Sequence, residues 1–427
     1  MQKKVLKANI PLNGTVTVPS DKSISHRAVI FASLAKGRSV IKNFSKGQDP
    51  LSSLNICRAL GVDIEEGPDL IINSDGVLKA PLTGLNCGNS GTTMRLMTGI
   101  LSGQNFSSEL FGDASLSKRP MKRIIEPLSL MGAEISSQNG HAPLKISGKK
   151  LTGIDYHSNL ASAQVKSCVL LAGLFAEGVT TFTEPHLSRN HTEILLSHMG
   201  ADINIDGCKT IISKSTLEPC QIEIPGDISS AAYFITAGLI VPDSDIILKN
   251  VGLNPTRTGI IDVVKLMGGN LEILDMRNVS GETVGDIRVK YSNLKSCVIE
   301  KDLIPRLIDE LPVIAVLATQ AEGETIVKDA QDLRNKESDR IKAVVKELSA
   351  LGADISETED GFIINGKTNL KGGVTSECYH DHRLAMSLYV AGLVCQNPII
   401  INGFEWVNIS FPEFETQFAQ LFGFIQS

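Results

Sequence analysis

The chain has 427 residues, 42% hydrophobic and 21% charged, with a net charge of −6. That length supplies two or three hydrophobic cores, two domains being the expectation, and the composition is that of an ordinary soluble globular protein. The acidic total and the lack of any long basic run argue against a nucleic-acid surface but leave room for local cationic pockets. Eight cysteines show no C-x-x-C pair and no matching His spacing. Neither a zinc site nor a disulfide framework is indicated, and reduced core thiols are expected. The opening MQKKVLKANIPL lacks an apolar signal core and no apolar run approaches about 18 residues, so the expectation is a cytoplasmic protein with no membrane span.

In chain order, KANIPLNGTVTVP reads as a short strand, and then one pattern recurs six times. A polar start leads into a small-residue apolar helix ending near Gly: SDKSISHRAVIFASLAKG, GNSGTTMRLMTGILSG, NLASAQVKSCVLLAGLFAEG, GDISSAAYFITAGLI, IDELPVIAVLATQAEG and YHDHRLAMSLYVAGLV. After each comes a second helix that closes on Gly61, Gly132, Gly200, Gly268, Gly352 or Gly423, as expected for helices stopped by a left-handed residue. The unit therefore reads strand, helix, strand, helix, strand. The first helices carry Ala, Gly, Ser and Leu nearly all round, the pattern of buried helices, whereas second helices such as PMKRIIEPLSLMG keep a polar face. Helices inside and sheets outside account for both.

Six units divide into three plus three at EIPGDISS. This predicts one domain over 20–225 and a second made of 1–19 plus 226–427, which borrows the N-terminal strand. The crossings near Pro19 and Pro225 are expected to form a hinge.

Each first helix presents unpaired N–H groups and a positive dipole end, so several of them turned to a common cleft make an anion trap. The residues at those starts fit that role. The first start supplies Lys22, Ser23 and Arg27; the second supplies Asn89, Ser90, Gly91, Thr92 and Arg95. The third supplies Ser162, Gln164 and Lys166, and the loops add Lys118, Arg119 and Arg189. Taken singly these are caps and solvated charges; their recurrence at matching places in a repeat points to a site. The second half sets carboxylates beside cations: Asp309 and Glu310 in RLIDELP, Lys336, Glu337, Asp339 and Arg340 in LRNKESDRIK, and Asp381, His382 and Arg383 in YHDHRLAM. Such a set offers acid, base and anion clamp together.

As an ordered set spread over the whole chain, DKSISHR, GNSGTTMRL, SKRPMKR, SAQVKS, RNKESDR and YHDHRLAM resemble the EPSP synthases. These are enolpyruvyl transferases that join phosphoenolpyruvate to shikimate 3-phosphate. The resemblance implies an α/β fold, a two-domain inside-out α/β barrel built from six repeated βαβαβ-type units, three per domain. It implies transfer of the enolpyruvyl group to the 5-hydroxyl of shikimate 3-phosphate with release of inorganic phosphate. The route is addition and elimination through a tetrahedral intermediate, in the shikimate pathway toward chorismate and the aromatic amino acids. No cofactor and no metal are implied, and a monomer is expected.

By the same resemblance, shikimate 3-phosphate is bound by Lys22, Ser23, Arg27, Ser162, Ala163, Gln164, Arg189, Asp309 and Lys336. Phosphoenolpyruvate is bound by Lys22, Asn89, Gly91, Arg119, Gln164, Arg340 and Arg383, the arginines clamping phosphate and carboxylate. Asp309 is expected to be the base toward the hydroxyl, Glu337 the proton donor to carbon and Lys22 a partner in proton transfer or phosphate departure. Asp339 is expected to orient Arg340, and His382 to hydrogen-bond beside the site. Ile409 stands where many relatives have Lys, which leaves Ser410 as the nearby polar side chain.

Gly91 leaves room for glyphosate, and inhibition competitive with phosphoenolpyruvate is expected, although Ala163 and RNHTE resemble the less sensitive class. The transferase acting on UDP-N-acetylglucosamine is the nearest alternative, but it has Lys-Asn where this chain has Lys22-Ser23, and a Cys that FGDASLSKRP lacks. A non-catalytic anion binder is the alternative from another class, opposed by the carboxylates Asp309 and Glu337, whose like charge weakens an anion. The expected hinge has a measurable consequence: shikimate 3-phosphate with glyphosate should compact the protein, and a small-angle scattering radius unmoved by the pair would contradict it.

Overall fold

The computed structural model describes residues 1–423. The chain forms two compact units, one of Ser20–Pro225 with Asn278–Glu282, the other of Met1–Pro19, Gly226–Arg277 and the chain from Thr283 onward. Among the described residues no helix is long and apolar enough to cross a membrane.

The 20–225 unit holds three four-stranded sheets of one design. In the second repeat, Leu85–Asn86 runs parallel to Ser107–Phe111, which pairs antiparallel with His141–Ser147, itself antiparallel to Glu134–Gln138. Helix Gly91–Ser102 joins the parallel pair, and helix Lys122–Leu130 leads into the final hairpin. The repeat thus has one strand more than its sequence suggested, because the last segment folds back on itself. The turn at Asn139-Gly140, both with positive φ, is the signal for this, since a two-residue hairpin loop favours that dipeptide. The first repeat takes its parallel strand from the far end of the unit: Gln221–Glu223 pairs with Lys36–Lys42, Gln221 opposite Val40.

The other unit closes in the same way with strands from the chain's beginning. Asn13–Thr17 runs parallel to Asp245–Gly252, and Gln2–Val5 runs antiparallel to Ile399–Asn402. The N-terminus therefore lends two strands rather than the single one expected. Each crossing is tied down by a backbone bond, the Asp21 N–H donating to the Pro225 carbonyl at 2.8 Å and the Asp227 N–H to the Pro19 carbonyl at 2.8 Å. Both aspartates then cap the helix that follows, accepting from the Ile24 and Ser229 N–H groups, so each unit opens on the same Pro-x-Asp turn.

The first helices are the inner layer of each unit. In Ile228–Ile240 every residue is buried, and Lys22–Leu34 is buried from Ile24 to Ser33. Their small residues are required by close approach: a Cβ on Gly99 would lie 2.2 Å from the Cys168 carbonyl oxygen on the neighbouring helix Ala163–Gly173. Gly173, Gly238 and Gly392, each after an Ala and before a Leu, leave the same little space against strand side chains such as Ile212, Ile246 and Val5. Large side chains there would hold helix and sheet apart and open voids.

The six glycines that end the second helices all have positive φ, from +71° at Gly423 to +99° at Gly352. At Gly132 the N–H donates to the Ser129 carbonyl, and Ala133 N–H reaches back to Leu128, the paired bonds that close a helix on a left-handed residue. An added Cβ at Gly132 meets nothing within 4 Å, so Gly132→Ala isolates backbone strain from packing. The expected cost is about 1–2 kcal/mol, read as a melting temperature lowered by roughly 2–8 °C; an unchanged midpoint would show that the left-handed geometry carries no penalty.

Candidate active site

In the 20–225 unit the polar helix starts gather two groups of side chains. The first surrounds Arg27, which is buried and donates from Nε to Thr192 Oγ1 (2.7 Å), from Nη2 to Ser167 Oγ (2.8 Å) and from Nη1 to the Ser23 carbonyl (2.9 Å). Burial pushes its pKa down to about 10; Glu193 and Asp21 pull it back up, while the Arg189 charge pushes it further down. Arg189 is thus within electrostatic reach of Arg27. Lys22, on the same helix, pairs with Asp49 at 3.1 Å.

The second group is built on helices Gly91–Ser102 and Ala163–Gly173. Arg119 Nη2 donates to Asn89 Oδ1 at 2.7 Å, and Asn89 Nδ2 donates to Asp113 at 2.7 Å. Gln164 accepts from Arg95 Nη1 and donates to Thr92 Oγ1. A Cβ on Gly91 would lie 2.9 Å from Arg95 Nη1 and 3.5 Å from Arg119 Nη1, so the missing side chain leaves space for both guanidinium groups. Burial, then the charges of Arg123 and Arg119, push the Arg95 pKa down to about 10. Ser162 stands at the N-cap of Ala163–Gly173 without a side-chain capping bond.

Lys166 does not join these groups. It is buried between Glu184 Oε1 (2.6 Å) and Glu193 Oε1 (2.7 Å), because it lies on the inward face of its helix. The expectation that it faces an anion is corrected accordingly.

The other unit carries a denser cluster around Arg340, which is 1% exposed. Its Nε and Nη2 meet Asp381 Oδ2 and Oδ1 at 2.7 and 3.2 Å, Nη2 also meets Glu337 Oε2 at 2.7 Å, and Nη1 lies 3.4 Å from Asp309 Oδ1. Burial opposes the charge, but Asp381 and Glu337 outweigh it and hold the Arg340 pKa above its ordinary value. Lys336 Nζ reaches Asp309 Oδ1 at 3.4 Å, and Arg383 Nη2 lies 3.8 Å from Asp309 Oδ2. The two carboxylates of interest, Asp309 and Glu337, therefore sit on two arms of one guanidinium.

Asp339 is not the group that orients Arg340. It caps helix Arg340–Leu351 through the Lys342 N–H and pairs with Arg334 at 3.0 Å, while Asp381 makes the bidentate contact. His382 is buried as the first residue of its helix, beside Asp381. Ser410 Oγ is buried with no hydrogen-bond partner among the described residues, and Ile409 adds no charge there. Sequence reasoning missed Asp49, Arg257 and the importance of Glu310. Arg257 Nη2 meets Ser229 Oγ at 2.7 Å and Asp227 Oδ1 at 3.1 Å, and its polar loop, NPTRT, gives no sequence signal that sets it apart.

A family model for EPSP synthase (3-phosphoshikimate 1-carboxyvinyltransferase) matches residues 6–418. The chain belongs to the EPSP synthase family. The 3-phosphoshikimate 1-carboxyvinyltransferase of Bacillus pumilus (strain SAFR-032) is 53% identical over 410 residues, 95% of this chain and 96% of the relative. That of Thermoanaerobacter sp. (strain X514) is 51% identical over 414 residues, 96% of this chain and 98% of the relative. A solved EPSP synthase from Acinetobacter baumannii superposes with a TM-score of 0.89 at 44% identity, covering 98% of this chain and 97% of its own. The enolpyruvyl transferase NikO from Streptomyces tendae shares the fold, with a TM-score of 0.78 at 17% identity and coverage of 98% and 97%. The EPSP synthase family thus supplies the inside-out α/β fold and makes the chain an enzyme, a transferase, and the UDP-N-acetylglucosamine alternative is not favoured.

One buried group in the first cluster gives a pH test. His26 is wholly buried with Nδ1 2.8 Å from Ser53 Oγ, and burial first, with Lys22 and Arg27 adding to it against Asp49, pushes its pKa down to about 3. Below its unfolded value of 6.5 the unfolded chain takes up a proton that the folded protein refuses, so stability falls as the pH drops from there toward 3. The loss at pH 4 is about 3 kcal/mol. Melting curves of His26→Asn should decline less steeply between pH 6.5 and 4 than those of the unsubstituted enzyme; parallel declines would contradict the assignment.

Proposed function

We propose that this chain transfers the enolpyruvyl group of phosphoenolpyruvate to the 5-hydroxyl of shikimate 3-phosphate and releases inorganic phosphate. The observation that carries the reading is the pair Asp309 and Glu337 on one buried Arg340, with Arg383 and Lys336 beside Asp309. A protein that only held anions would lose affinity to those carboxylates, whereas a proton-transferring enzyme needs them.

In this proposal the domains are 20–225 and 1–19 plus 226–427. Shikimate 3-phosphate is held by Lys22, Ser23, Arg27, Ser162, Ala163, Gln164, Arg189, Asp309 and Lys336. Arg27 uses three N–H groups on the protein and retains others on Nη1 and Nη2 for a carboxylate. Phosphoenolpyruvate is held by Lys22, Asn89, Gly91, Arg119, Gln164, Arg340 and Arg383.

Glu337 gives a proton to the methylene carbon of phosphoenolpyruvate, and the neighbouring carbon becomes electrophilic. The 5-hydroxyl oxygen bonds to that carbon while Asp309 takes the hydroxyl proton, giving a tetrahedral ketal phosphate. Elimination then returns a proton from the new methyl group to the Glu337 carboxylate while the carbon–oxygen bond to phosphate breaks and its electron pair leaves with the phosphate; Lys22 meets that departing charge, and Asp309 passes its proton to the released phosphate. Asp309 enters the cycle as the carboxylate and Glu337 as the neutral acid, and the arginines stabilise the anion as it forms. The proposal takes the enzyme as a cytoplasmic monomer without metal or cofactor, inhibited by glyphosate in competition with phosphoenolpyruvate.

A phosphate-release assay with both substrates tests it. Asp309→Ala should lower kcat by at least about 100-fold, and Arg119→Ala should chiefly raise the KM for phosphoenolpyruvate. Phosphate release absent from the unsubstituted enzyme, or indifferent to Asp309→Ala, would falsify the reading; rates unmoved by millimolar glyphosate would remove the inhibitor from it.

A further inference from the structure

Glu310 is a buried carboxylate that the proposed chemistry does not use. It is 1% exposed and follows Asp309 directly. Its Oε1 accepts from Ser229 Oγ, and Ser229 Oγ accepts from Arg257 Nη2 at 2.7 Å. Its Oε2 has no hydrogen-bond partner among the described residues. Two cations flank it without hydrogen bonding: Arg257 Nη2 at 4.0 Å and Arg383 Nη1 at 3.9 Å.

This is an expensive way to fill the space if only stability is at stake. A buried charge with half its acceptor capacity unused is worse than a neutral amide of the same shape, which would keep the Ser229 bond. What Gln could not supply is the field of a fixed negative charge. Arg383 Nη1 also donates to the Asp309 carbonyl at 3.3 Å, and that directional bond, with the helix that carries the residue, sets where the guanidinium lies. At 3.9 Å the Glu310 contribution is Coulombic and non-directional.

We propose that Glu310 is a built-in competitor for Arg383, setting how tightly the phosphoenolpyruvate clamp holds its anion, with Arg257 setting how much of the Glu310 charge Arg383 feels. The inference rests on the functional reading above. An anion arriving at Arg383 finds a guanidinium already facing Asp309 and Glu310, and Glu310 repels it. Glu310 acts through Arg383 and is a positioning residue. Because it opposes substrate and departing phosphate alike, its charge weakens binding uniformly and keeps the clamp from retaining an anionic product.

The test is the sign of two substitutions, read as the KM for phosphoenolpyruvate in the phosphate-release assay and as the dissociation constant from calorimetric titration with phosphoenolpyruvate alone. E310Q should lower both about tenfold, with kcat within about twofold. R257Q, which strips Glu310 of a counter-charge, should raise both several-fold. A merely structural Glu310 gives the opposite: E310Q raises KM and lowers the melting temperature. Unchanged or raised values in E310Q overturn the inference while the parent reading stands, provided the unsubstituted enzyme turns over. If E310Q does not fold, R257Q decides, and an unchanged or lowered KM there overturns it. No phosphate release from the unsubstituted enzyme sinks the parent reading, and this inference with it.

Discussion

The contact on which the second unit's chemistry depends is the buried pair of Arg340 and Asp381. Asp381 is 0% exposed and Arg340 1%, so each would carry a large desolvation cost alone, and removing either typically costs about 3–5 kcal/mol. Asp381 has a second task, accepting from the Arg383 N–H to cap helix His382–Gly392. One carboxylate therefore sets the start of a helix, the plane of Arg340 and, through the helix, the origin of Arg383. Glu337 then shares Nη2 of Arg340 with Asp381, and Asp309 meets Nη1. The two carboxylates proposed to move protons are held by a cation that is itself buried.

The 20–225 unit reaches a comparable end by other means. There Lys22 pairs with Asp49, but Arg27 is held by the hydroxyls of Thr192 and Ser167 and Arg119 by the Asn89 amide. Neutral partners leave the positive charge uncancelled. That unit is better suited to receiving an anion, and the Arg340 cluster to moving protons.

Much of this was legible in the sequence because the repeat writes itself in residue types that admit few substitutes. The terminal glycines, needed for left-handed backbone, close all six second helices, and the Ala-Gly-Leu triplet, needed for helix–sheet contact, marks three of the six first helices. The extra strand of each unit was less legible, since pieces such as Glu134–Gln138 are short and half exposed, and only Asn139-Gly140 betrays the turn. Side-chain direction was the least legible. Lys166 shares a motif with Gln164, yet two positions further along a helix turn it inward. Asp339 lies nearer to Arg340 in sequence than Asp381 does, yet its carboxylate is spent on the cap and on Arg334. Arg257 and Glu310 belong to segments far apart in the chain, and no local pattern joins them.

The borrowed strands bear on how the protein is made. Gln2–Val5 finds its partner only at Ile399–Asn402, and Asn13–Thr17 at Asp245–Gly252. During synthesis the 20–225 unit has all three of its sheets once Gln221–Glu223 emerges from the ribosome, while Gln2–Val5, made before it, waits unpaired until Ile399–Asn402 follows. Its exposed edge during that interval is where premature association would begin. The lysines at positions 3, 4 and 7 give that waiting segment the charge that discourages it.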